Sequence, residues 1–142
     1  MIDLLQRLLP RSLRQPTPVP DALWQSTLAA HPFLSALGSA ERDRLRLLCT
    51  HFLVEKEFHG ANDLVLTDAM ALAIAAQACL PLLHMHGTSG EPVRDPLKLL
   101  DWYGDFVGIV VQPGAVVARR KTTDGAGVVH HYNEVLAGEA MD

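Results

Sequence analysis

Seven histidines, two cysteines and scattered carboxylates are the groups in this sequence able to hold a metal or move a proton. A protein metal site needs several donors converging at about 2 Å from the ion, usually with a local signature such as His-Glu-x-x-His on one helical face. No such helical pair occurs. His84 and His86 fall on one side of an extended segment, but two donors without a third read as exposed loop histidines. His130 and His131 are consecutive, and consecutive side chains of a strand leave opposite faces, so the two cannot grip one ion. Glu134 and Glu139 flank Val135-Leu136-Ala137-Gly138, a carboxylate pair for general acid and base work only if a pocket holds them together. Gly-x-Ser-x-Gly, Gly-Lys-Ser/Thr and Gly-x-Gly-x-x-Gly are all missing, so the common nucleophile and nucleotide signatures are absent.

Cys49 and Cys79 lie in separate apolar helical patterns with no Cys-x-x-Cys spacing. They define no disulfide framework and read as small buried apolar side chains, suited to a reducing compartment. Gln77 is the one polar side chain within an apolar run, and a buried amide there is expected to bond a nearby backbone group. Arg42, Arg44 and Arg46 read as a solvated helix face rather than an anion site.

The 142 residues carry a formal charge of −4 and are 49% hydrophobic, enough apolar material for one globular domain. An acidic balance gives no attraction to phosphate backbones or anionic lipid, which excludes nucleic acid and membrane surfaces as main partners. Ala69–Leu83 is too short for the roughly 20 residues of a membrane crossing and contains Gln77 and Pro81. The N-terminus, with Asp3, Gln6 and Arg7 among its leucines, is not a signal peptide.

The elements that position these groups follow from caps and periodicity. Residues 1–20 read as an amphipathic leader (Leu4, Leu5, Leu8, Leu9) and a linker with Pro10, Pro16, Pro18 and Pro20, and the compact part is expected from 21 to 142. A helix capped by Asp21 runs to about Ala30, where His31-Pro32 breaks it. A second helix, capped by Ser39, buries Leu45, Leu48, Cys49, Phe52 and Leu53. Thr67 caps a third, apolar nearly all round and therefore central, which Pro81 stops or kinks. The pattern then turns β-rich: Phe106–Val111, a Pro113-Gly114 turn, Val116–Arg119, an Asp124-Gly125 turn and Val128–Tyr132 predict a three-stranded antiparallel meander. Helices followed by a small sheet make the fold class α+β.

The order of segments carries a further signal. Phe52-Leu53-Val54-Glu55-Lys56-Glu57-Phe58-His59-Gly60, Leu66-Thr67-Asp68, Ile74-Ala75-Ala76-Gln77-Ala78-Cys79-Leu80-Pro81, Asp101-Trp102-Tyr103, Val110-Val111-Gln112-Pro113-Gly114 and Leu136-Ala137-Gly138-Glu139-Ala140 occur in sequence. Together they resemble the N-terminal half of the Mlc titration factor A family, over about Trp24 to Ala140, with the leader outside the match and His84 to Leu99 as an inserted or variable loop.

The resemblance implies a zincin-like, cytoplasmic, zinc-dependent peptidase that also regulates glucose phosphotransferase uptake by binding a transcriptional repressor. In such enzymes zinc lowers the pKa of a bound water and the motif glutamate accepts its proton. The family's His-Glu-x-x-His helix and third ligand have no counterpart in these 142 residues, so no catalytic or metal residue carries over and this chain is expected to bind no zinc. The implied partners are a peptide substrate or the repressor, with β-strand Val128–Tyr132 as the expected substrate border and self-association through uncovered apolar surface. The alternative expectation is a non-catalytic module that binds the repressor.

Overall fold

The computed structural model describes residues 9–10 and 13–136. Its elements in chain order are helices α1 (Asp21–Ala30), α2 (Pro32–Ser35) and α3 (Ser39–Glu55), strand β1 (Glu57–Gly60), helix α4 (Asp68–Cys79), two 3₁₀ segments (Leu80–His84 and Pro96–Tyr103), and strands β2 (Gly108–Val111), β3 (Val116–Thr123) and β4 (Val129–Leu136). The α+β class holds, and the chain falls into two compact units. One comprises the chain up to His59 with Leu66–Ile109, the other Gly60–Val65 with Val110 onward.

The caps explain where the helices start. Thr67 caps α4 as expected, its Oγ1 accepting the Met70 N–H at 3.2 Å. Asp21 and Ser39 instead sit one position inside their helices, behind Pro20 and Gly38 as N-caps. At α3 the capping interaction comes from Glu41, whose Oε2 accepts the Gly38 N–H at 3.2 Å. His31-Pro32 separates α1 from α2, and Pro81 turns the end of α4 into 3₁₀ geometry.

The helical unit has a core of its own. Leu45, Leu48, Cys49 and Phe52 of α3 pack with Leu72, Ala75, Ala76 and Cys79 of α4, joined by Trp24, Leu34, Leu82 and Leu99. Val19, ahead of the expected start of the compact part, is buried in this cluster, and Arg46 Nη2 donates to its carbonyl. Leu99 and Leu100 are buried too, so the second half of the expected loop His84–Leu99 leads into a packed 3₁₀ segment. Around Phe52 the rings of Phe58 and Tyr103 stand edge-on at 6.3 and 6.0 Å.

The predicted three-stranded meander is corrected to two separate pairs, β1 with β2 and β3 with β4. Glu57 donates to the Val107 carbonyl and Ala61 to that of Val111, both at 2.9 Å, so the bonds advance in the same direction along both segments and the pair is parallel. A parallel pair cannot be closed by the tight Pro113-Gly114 turn and needs a long crossover, supplied here by the chain between residues 61 and 107. Gly60 is required where β1 turns away, because a Cβ there would stand 1.9 Å from the Leu64 carbonyl oxygen.

The β3–β4 hairpin does form, antiparallel, in register from Val116↔Leu136 to Thr123↔Val129. Asp124 builds its turn: Oδ1 accepts the N–H groups of Ala126 and Val128 at 2.9 and 3.0 Å, and Gly127 supplies the positive φ of 81°.

Candidate functional site

The helical unit carries a cleft of about 340 Å³ between the end of α3, β1 and the start of α4. Leu53, Leu66 and Ala71 form its apolar wall, and Arg14, Glu57, His59, Thr67 and Asp68 its polar one. Alternation along β1 sends Glu57 and His59 to the same side. Glu57 lies between two cations or potential cations, 3.6 Å from Arg14 and 3.8 Å from His59 Nε2. Thr67, the one hydroxyl in the lining, is committed to capping α4. The cleft can therefore accept a small partly apolar group beside a salt-linked edge.

Lys56, which also contributes to the lining, is a structural cation. Its side chain is buried, with 4% of the residue exposed. Nζ donates to the carbonyls of Tyr103 and, at 2.6 Å, Phe106, and stands 4.1 Å from the centre of the Phe106 ring. Nothing in the sequence singles this lysine out beyond its place two positions after the apolar run Phe52-Leu53-Val54.

Of the histidines weighed as ligands, His84 and His130 are held by carboxylates. His84 Nε2 is 2.7 Å from Glu41 Oε1, and this hydrogen bond, with that from Gly38, holds the Glu41 carboxyl below its usual range. His86 lies in an exposed loop, its carbonyl accepting Trp102 Nε1–H at 2.8 Å. His130 Nε2 is 3.0 Å from Asp124 Oδ2, and this contact together with the Val128 N–H lowers the Asp124 carboxyl. His131 is the next residue along β4, paired across the ladder with Lys121. Among the described residues no group of three or more His, Cys, Asp or Glu is arranged to hold a metal ion. Among the described residues the donors therefore assemble no site of the kind the resemblance implies. Glu134 pairs with Ala118 in the ladder, and Glu139 lies outside the described residues.

Gln77 is exposed, not buried, and its Nε2 donates to the Ala73 carbonyl one turn back at 3.2 Å. Arg44 stays exposed on the helix face and Arg46 is half-buried, and both also serve as staples, Arg44 donating to the Leu83 carbonyl at 3.1 Å and Arg46 pairing with Asp21 at 2.7 Å. Val128, Val129, Tyr132 and Val135 are all exposed.

Comparison with known proteins decides the family. The family model for the glucose-regulated metallopeptidases M90 matches residues 6–142. The chain belongs to this family. The match takes in most of the leader, which the resemblance had left out. Among relatives, an uncharacterized protein of Synechocystis is 36% identical over 120 residues, 84% of this chain and 39% of its own length. Mlc titration factor A of Pectobacterium atrosepticum is 28% identical, covering 84% of this chain and 40% of its own length, and that of Serratia proteamaculans 29% identical, covering 94% and 45%. This M90 chain therefore spans less than half the length of the relatives it matches. No solved structure matches it.

Proposed function

We propose that this chain is the N-terminal portion of a zinc-dependent peptidase of the M90 family, and that it supplies scaffold rather than catalytic groups. The family match over residues 6–142 carries this reading. The lack of a His-Glu-x-x-His segment in the 142 residues, and the pairing of His84 and His130 with carboxylates, support placing the metal ligands elsewhere in the complete protein. β4, whose only ladder among the described residues is with β3, offers a free edge along which an extended peptide substrate can lie. The complete protein works in the cytoplasm. Reading the coding DNA past residue 142 tests the proposal: a His-Glu-x-x-His helix in or near frame is expected, and unrelated sequence would sink it.

A second reading is favoured by the exposed apolar side chains of β4 and by the name titration factor carried by two relatives. In it the chain acts as a non-catalytic module that binds a transcriptional repressor. Folded chain immobilised on resin should then retain the repressor, and clean failure removes this reading. The same exposed side chains favour self-association, which a light-scattering series showing a monomer at every concentration would contradict.

A further inference from the structure

The Pro-rich segment ahead of α1 is pinned at one end and seated in the cleft at the other. Val19 is buried, Arg46 Nη2 donates to its carbonyl, and the same atom pairs with Asp21 at 2.7 Å. Upstream, Arg14 turns its side chain in against β1, with only 12% of it exposed. Its Nη1 stands 3.6 Å from Glu57 Oε1, and its Nε donates to the Leu9 carbonyl at 3.2 Å. Pro16 and Pro18 lie between Arg14 and the anchor at Val19, and both fix φ in an extended range, so the stretch acts as a stiff strap.

Covering an arginine head costs free energy unless its surroundings suit it. The cleft suits it: Leu53, Leu66 and Ala71 give a wall for a methylene stem, and Glu57 and Asp68 bring carboxylates for the head. Lys56, the other cation of the lining, is engaged by the Tyr103 and Phe106 carbonyls. The chain's formal charge of −4 attracts cations from a distance. At 3.6 Å the Arg14–Glu57 pair is longer than the roughly 2.7–2.9 Å of a strong charge-assisted hydrogen bond, and the Glu57 side chain is 39% exposed, so water or another cation can reach it.

We propose that this cleft is a binding site for an arginine side chain of a peptide partner, and that Arg14 is its resident occupant, carried by a strap that lifts when the partner binds. Tethering gives Arg14 an effective concentration on the order of millimolar, so a partner displaces it only by adding contacts. The cleft beside Arg14, about 340 Å³, has room for them. The site is built from these 142 residues and does not depend on whether the complete protein is a peptidase.

The test titrates Nα-acetyl-arginine methylamide, and its uncharged citrulline analogue, into the folded 142-residue chain and its Arg14→Ala variant, following the amides of Glu57, His59 and Ala71 by NMR. The variant should bind the arginine probe saturably, roughly tenfold or more tighter than the wild-type chain does and than it binds the citrulline probe. Adding Glu57→Gln to Arg14→Ala should weaken that binding by a similar factor. The proposal is overturned if the folded variant shows no saturable shift, if wild type and variant bind alike, if the two probes bind alike, or if Glu57→Gln changes nothing. Where the variant does not fold, the wild-type chain decides: excess arginine probe should move the Arg14 Nε–H resonance toward that of a solvated arginine, and an unmoved resonance overturns the proposal.

Discussion

The helical unit and the β3–β4 ribbon hold their shapes by different means. In the first, Leu48, Phe52, Leu72, Leu99 and their neighbours are removed from water, and the polar groups among them are bonded, as Lys56 is to two carbonyls. In the second, every residue from Lys121 to Asn133 is exposed, and the hairpin rests on its ladder and the turn that Asp124 organises. Hydrophobic burial stabilises the one, whereas an isolated two-stranded ribbon is marginal in water. One unit therefore closes a core of its own, and the other leaves Val128, Val129, Tyr132 and Val135 exposed.

Substitutions can break this contrast, beginning with the largest effect. Phe52→Ala should cost about 3–5 kcal/mol, because it removes a fully buried ring on which two others lean. Urea unfolding followed by helical circular dichroism measures the loss, and a cost below about 1 kcal/mol would show that the core is looser than described. Lys56→Met should cost about 1–3 kcal/mol, since the Tyr103 and Phe106 carbonyls lose their donor. Thr67→Ala should cost about 1 kcal/mol through the lost cap of α4.

The smallest effect concerns the ribbon and acid. Asp124 has a carboxyl lower in the folded chain than in the unfolded one, so its stabilisation of the turn is present above its ordinary value of 3.8. It is lost as pH falls through the folded value. Protection of the Ala126 and Val128 amides, the ratio of intrinsic to observed exchange rate, should fall on acidification, with Asp124→Asn removing most of that pH dependence. Equal acid sensitivity in the variant would show that Asp124 does not hold the turn.

Much of this was legible in the sequence for reasons that are local. Thr67 and the 3.6-residue stripe of α3 are local signals, and so are His31-Pro32, Pro81 and the Asp124-Gly125 turn. The misreadings share the opposite property. The β1–β2 pair depends on a contact across about fifty residues, while Pro113-Gly114 advertised a nearer partner that β2 does not take. Arg44, Arg46 and Lys56 look like surface charge by type, yet their long stems let the heads reach carbonyls 39, 27 and 47 positions away. The cleft was not foreseen, since its walls come from Arg14, β1 and the start of α4, and no motif spans them.

The central claim is that the water-activating centre of the family does not reside in these residues. Its most direct test incubates purified, folded chain with zinc and fluorogenic aminoacyl and peptide reporters, with and without a chelator. The account predicts release no faster than the reporters' own decay under both conditions. Turnover by the chain that the chelator abolishes would contradict it.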